Sequence, residues 1–191
     1  MVSILDEPGI GIARFSVERY HQMIAAEILT SDDSLELYEG VLVEKMTEGP
    51  AHASHLALLA RLLTLRLGMS DWMLRVQNPI TTADSEPEPD LAIVRVGRYD
   101  QQHPGAADIA VVVEISDSSL VRDRSTKQRI YAAASVRRYL IVNIGADVVE
   151  EFTDPVSDPE ARYATTRTLT SGKVDLGPFE IDVTDLLRPA G

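Results

Sequence analysis

Ser85-Glu86-Pro87-Glu88-Pro89-Asp90 runs directly into Leu91-Ala92-Ile93-Val94, and a second apolar run, Ile109-Ala110-Val111-Val112-Val113, ends on Glu114 ahead of a basic segment carrying Lys127. These residues decide the fold. Two short runs rich in β-branched residues, bounded by turn formers, read as buried strands. The proline before Asp90 places that carboxylate where a strand begins. A carboxylate at the mouth of one strand, another in its neighbour and a lysine on the next helix form the set that divalent-metal phosphodiester chemistry uses.

Working outward, Phe15-Ser16-Val17 starts a helix with Ser16 as N-cap and with Tyr20, Ile24 and Ile28 on one face. Residues 35–38 and 41–44 alternate at period two around Glu39-Gly40 and read as a hairpin. Pro50 opens an apolar helix, His52 to Leu67, that stops at Gly68. Strands follow over residues 72–78, 90–96 and 109–115, then a helix over 122–134 and a strand over 138–143. The nearly unbroken apolar runs predict strands covered on both faces. The order is therefore αβββαβ, an α/β fold with a mixed central sheet flanked by helices. Val148 to Phe152, Tyr163 to Leu169 and Phe179 to Val183 read as antiparallel additions, and Asp154 to Glu160 as a loop. Residues 1–14 form a loose N-terminal arm, and residues 15–188 a single domain.

The chain has 191 residues and no cysteine, which excludes disulfides, iron–sulfur clusters and thiolate zinc sites. Neither a signal segment nor a membrane span is visible, so a cytoplasmic protein without a membrane partner is expected. The net charge of −12 opposes non-specific DNA binding. It is unevenly spread, however. Arg122, Arg124, Lys127, Arg129, Arg137 and Arg138 stand in one stretch against a single acid, Asp123, and offer either a local basic face or a solvated helix surface.

Asp90 and Glu114 are the candidate ligands for Mg²⁺ or Mn²⁺. A carboxylate in a buried β-branched strand needs a cation or an ion pair, and an arginine of the following helix is the alternative partner for Glu114. Lys127 is the candidate to stabilise the charged transition state or orient the attacking water; its plain alternative is an i, i+4 pair with Asp123. His52, at the start of the apolar helix, either hydrogen-bonds substrate or metal-bound water or has no special role. Glu44 and Glu48 are candidate outer ligands. Glu86 and Glu88 read as members of a solvated loop. Ser116, Ser118 and Ser119 form no nucleophile elbow, and no glycine loop cradles phosphate.

The ordered series Leu37-Tyr38-Glu39-Gly40-Val41-Leu42-Val43-Glu44, His52, Pro89-Asp90-Leu91, Val112-Val113-Glu114-Ile115-Ser116, Asp123, Lys127, Tyr131-Ala132-Ala133 and Arg138-Tyr139-Leu140-Ile141-Val142 resembles the Uma-type restriction endonuclease family, a branch of the PD-(D/E)xK nuclease superfamily. The resemblance spans roughly residues 15 to 185. It implies a restriction endonuclease-like core and a metal-dependent endonuclease acting on DNA, with Asp90 and Glu114 as metal ligands and Glu44 or Glu39 as a further upstream acid. The superfamily lysine two residues after the glutamate is replaced by Ser116, and Lys127 matches a lysine moved to the next helix. Ser135, Arg138 and Leu140 depart from the family pattern at packing positions. A homodimer is expected, since many nucleases of this fold pair to cut two strands. The competing expectation is a nuclease-like fold that cleaves weakly and serves as a dimeric binding or regulatory module.

Overall fold

The computed structural model describes residues 11–158 and 160–190. Most of the expected arm lies outside the described residues; its remainder, 11–14, is exposed and without regular structure. Ser16 caps α1 (Val17–Ala25), its hydroxyl accepting from the Arg19 N–H. Only Tyr20 of this helix is buried. The chain leaves the helix through Glu27 at φ 55°, before Ile28 is reached. Ile24 and Ile28 consequently stay exposed, and the apolar face expected over all three residues does not form.

β1 (Leu35–Tyr38) and β2 (Val41–Glu44) pair as the expected hairpin. Its two loop residues, Glu39 at φ 49° and Gly40 at φ 78°, have the positive φ values of a tight primed turn. Gly40 is also tightly packed. A Cβ there would lie 2.6 Å from the Arg14 Cβ and 2.9 Å from the Phe15 carbonyl oxygen. Gly40→Ala is therefore expected to destabilise the protein by more than about 1 kcal/mol in urea denaturation, combining backbone strain with a clash.

α2 (Pro50–Leu67) begins at Pro50 and ends at Gly68 as expected. Beyond it, β3 (Trp72–Val76), β4 (Leu91–Arg95), β5 (Ile109–Ser116), β6 (Arg138–Asn143), β7 (Val148–Val156) and β8 (Arg162–Leu169) form one six-stranded sheet in chain order. Only β5 and β6 run parallel, joined by the helical segment α3 (Leu120–Arg122) to α4 (Gln128–Ala133). That crossover is what a parallel pair requires. β9 (Lys173–Asp175) and β10 (Glu180–Asp182) form a separate two-stranded sheet.

Strand periodicity divides the core in two. Leu91 and Ile93 of β4 and Val111, Val113 and Ile115 of β5 pack against Leu56, Leu59, Leu63 and Leu67 of α2. Ala92 and Val94 of β4 and Val112 of β5 face Ile130, Tyr131 and Ala132 of α4. Both faces of the central strands are dry, which accounts for their apolar sequences.

Two expectations need correction at the C-terminal side. The final expected strand is shorter, and Val183 starts a helix instead, α5 (Val183–Leu187). Val183, Leu186 and Leu187 join the core on the α2 side, so burial rather than helix length holds this short element. The loop expected from Asp154 is in part strand. β7 continues to Val156, and Pro155 is tolerated because pairing with β6 ends at Thr153 while pairing with β8 continues. Among the described residues no helix is long and apolar enough to cross a membrane.

Candidate active site

The antiparallel register of β4 and β5 sets Leu91 opposite Val113, so the next residues out, Asp90 and Glu114, meet at the end of the ladder. By strand parity both point to the face covered by α4. Asp90 Oδ2 accepts from the Ile115 N–H at 2.7 Å, and the Asp90 N–H reaches Glu114 Oε2 at 3.4 Å. Two carboxylates side by side repel unless a cation lies between or near them.

The cation present is Lys127. Its Nζ lies 2.9 Å from Glu114 Oε1 and 3.9 Å from Asp123 Oδ1. The i, i+4 pair with Asp123 thus exists but is buried and is the longer of the two contacts. The partner expected for Glu114 as an alternative, an arginine of the following helix, is replaced by this lysine. The helix is locally wide between α3 and α4: Asp123–Lys127 is a π turn, with the Gln128 N–H bonded to the Asp123 carbonyl. A single wide turn of this kind is a common device at functional sites. Here Asp123 and Lys127 are both buried. One turn further, the Tyr131 hydroxyl donates to Glu114 Oε1 at 2.7 Å.

Two carboxylates, Glu114 and Asp123, meet this one ammonium, with Asp90 beside Glu114, and the proton affinity of Glu114 and Asp123 rises. Burial pushes the Glu114 carboxyl up to about 8; Lys127 opposes that shift, while Asp90 and Asp123 add to it. Asp123 is raised as well, chiefly by burial and against Lys127. Burial alone would lower Lys127, but Glu114, Tyr38 and Asp123 outweigh it and hold the lysine above its ordinary value.

His52, in the first turn of α2, closes the other side. Its Nε2 lies 3.0 Å from Asp90 Oδ2, and its Nδ1 lies 3.1 Å from a Glu48 oxygen without hydrogen-bond geometry. The hydrogen bond to Asp90 raises the imidazole pKa against the effect of burial. Glu48, His52 and Asp90 each present a ligand atom within 4.8 Å of the others, the only such trio among the described residues. Two carboxylates and an imidazole, beside the further carboxylate of Glu114, are a donor set that fits a hard or borderline divalent cation.

Asp90, Glu114, Lys127 and His52 therefore line one cleft, together with Glu48. Glu44 is exposed at the end of β2 and does not line it. Of the two acids offered as outer ligands, Glu48 lines the cleft and Glu44 does not. Glu39 pairs with Arg129 at 2.6 Å in the hairpin turn. Glu88 is bound to Lys45 at 2.7 Å. Glu86 is not solvated: its carboxylate is buried and accepts from Thr81 Oγ1 at 2.7 Å, with His21 Nε2 at 2.8 Å. An isolated bridge between Leu37 and Glu86 pins this segment to β1, which turns the side chain inward.

Two contributors had weak signals in the sequence. Glu36 is buried beside the cleft, accepting from the Tyr38 hydroxyl at 3.0 Å and the Glu88 N–H at 2.6 Å. Its only clue was the shared phase with Tyr38 in β1. Tyr131 follows Lys127 at helical spacing, which would have placed the two on one face.

The Uma2 family, described as "Putative restriction endonuclease", matches residues 17–181. Among solved structures, the chain is similar to one described as a putative nuclease belonging to DUF820 from Anabaena variabilis ATCC 29413, at 10% identity and a TM-score of 0.68, over 91% of this chain and 97% of that one. At that identity the likeness shows the fold alone. No curated protein matches the chain.

Proposed function

Because this chain belongs to the Uma2 family of restriction endonuclease-like proteins, we propose that it is a cytoplasmic, metal-dependent endonuclease that hydrolyses phosphodiester bonds of DNA. The observation that carries this reading is the convergence of Asp90 and Glu114 at the end of the β4–β5 ladder, with Lys127 2.9 Å from Glu114.

Asp90 and Glu114 would hold Mg²⁺ or Mn²⁺, with Glu48 and His52 beside Asp90. A bound divalent cation supplies Lewis-acid polarisation of the phosphate and lowers the pKa of a coordinated water. The ammonium of Lys127 lies where it can stabilise charge accumulating on the phosphate oxygens. Tyr131 and the Ile115 N–H fix the two carboxylates, so little reorganisation is needed when substrate arrives. His52 hydrogen-bonds Asp90 through Nε2 and orients it.

The test begins with the cation. Calorimetric titration of Mn²⁺ is expected to show binding that Glu114→Gln weakens by about 10–100-fold. The proton on Glu114 competes with the cation, so affinity should rise by up to about tenfold per pH unit below pH 8 and level off above it. The wild type bound with equal affinity at pH 6.5 and pH 9 would contradict this coupling.

The net charge of −12, and the ion pairs that neutralise Arg124, Arg129 and Arg138, favour a second reading. In that reading the fold binds a partner and cleaves little. Mn²⁺ binding without cleavage of single-stranded or duplex DNA would support it.

A further inference from the structure

Arg122 differs from the other cations of the cleft and, Arg137 apart, from those of its own stretch. In the same stretch Arg124 is held by Glu150 at 2.6 Å, Arg129 by Glu39, and Arg138 by Asp175 at 3.0 Å. The two lysines in the cleft are also committed, Lys127 to Glu114 and Lys45 to Glu88. Arg122 lines the cleft beside Asp90 and Lys127, yet it makes no ion pair among the described residues. Its Nε is shielded from solvent with no hydrogen-bond partner there. A half-buried guanidinium in an acidic cleft, left without a carboxylate, keeps its donors for an anion from outside.

We propose that Arg122 seats the scissile phosphate and that the cleft takes single-stranded nucleic acid, held electrostatically through about one phosphate. This inference rests on the nuclease reading of the site. The acids of the cleft decide the strand. Glu36 and Asp117 line the same cleft apart from the residues proposed to hold the cation, and neither has a lysine or arginine partner among the described residues. Duplex DNA brings one charge about every 1.7 Å, so phosphates flanking the reacting one would face these acids without compensation. A single strand can present one phosphate to Arg122 and turn its neighbours away.

The experiment is fluorescence anisotropy of a labelled oligonucleotide, single-stranded or annealed to its complement, with Ca²⁺ present and salt varied. Wild type is expected to prefer the single strand, with a slope of log affinity against log salt of about −0.7, the value for one phosphate contact. Arg122→Gln should weaken binding about tenfold or more and bring the slope toward zero, and Arg122→Lys should recover part of both. Unchanged binding by Arg122→Gln, a duplex preference with a slope of about −3 or steeper, or no binding by wild type would each overturn the proposal. Failure of the nuclease reading is seen separately, as no Mn²⁺-dependent cleavage of either oligonucleotide by a wild type that still binds.

Discussion

Asp90→Asn is expected to abolish metal-dependent cleavage, lowering the rate by about 10²–10³-fold or more while leaving the protein folded. The asparagine oxygen can still accept from the Ile115 N–H, the 2.7 Å bond that ties the start of β4 to β5. What is lost is the negative charge facing Glu114 and His52. Cleavage of labelled DNA in Mn²⁺, with circular dichroism of the same sample, separates loss of chemistry from loss of fold. Activity within about fivefold of wild type would mean that the carboxylate carries no metal.

Lys127→Met should have the largest effect on stability, and the effect should depend on pH. Truncating one partner of a buried pair typically costs about 3–5 kcal/mol when the remaining charge stays ionised. Glu114 can escape that penalty by binding a proton, because burial already holds its carboxyl at about 8. Without the ammonium its pKa rises further. The native state then binds more protons than the unfolded chain, so stability falls as pH rises. Relative to wild type the loss is expected to be about 1 kcal/mol larger near pH 9 than near pH 6, because the wild-type carboxyl ionises above about 8 while that of the variant keeps its proton. Urea denaturation at the two pH values reads this directly. Adding Glu114→Gln should remove that dependence on pH, since it removes the titrating carboxyl. Equal losses at both pH values would show that the pair contributes through packing rather than charge.

The central sheet was legible because its strands are buried on both faces and sit between prolines, glycines and acidic turns. Asp90, Glu114 and Lys127 were legible for a related reason. Each is a charge in or beside an apolar run, where a charge needs an explanation. Glu86 was not, since its partners His21 and Thr81 come from separate segments and nothing local distinguishes it from Glu88. Glu44 and Glu48 stood equal in the sequence because residues 45–49 are irregular, and no periodicity carries a phase across such a loop. The helix α5 was missed because five residues are too few to show a period; its position under α2 comes from packing. Arg122 stood out only after its neighbours' ion pairs were known, which is information about partners rather than pattern.

The wide turn at Asp123–Lys127 bears on how such sites are detected in other chains. It delivers an ammonium to Glu114 from a helix, so the strand is free to place Ile115 in the core and Ser116 in the ladder opposite Asn143. The signature is thus kept in space and lost along the chain. A search that counts residues from glutamate to lysine passes over this arrangement. One that measures from each strand-end carboxylate to any nearby ammonium would find it.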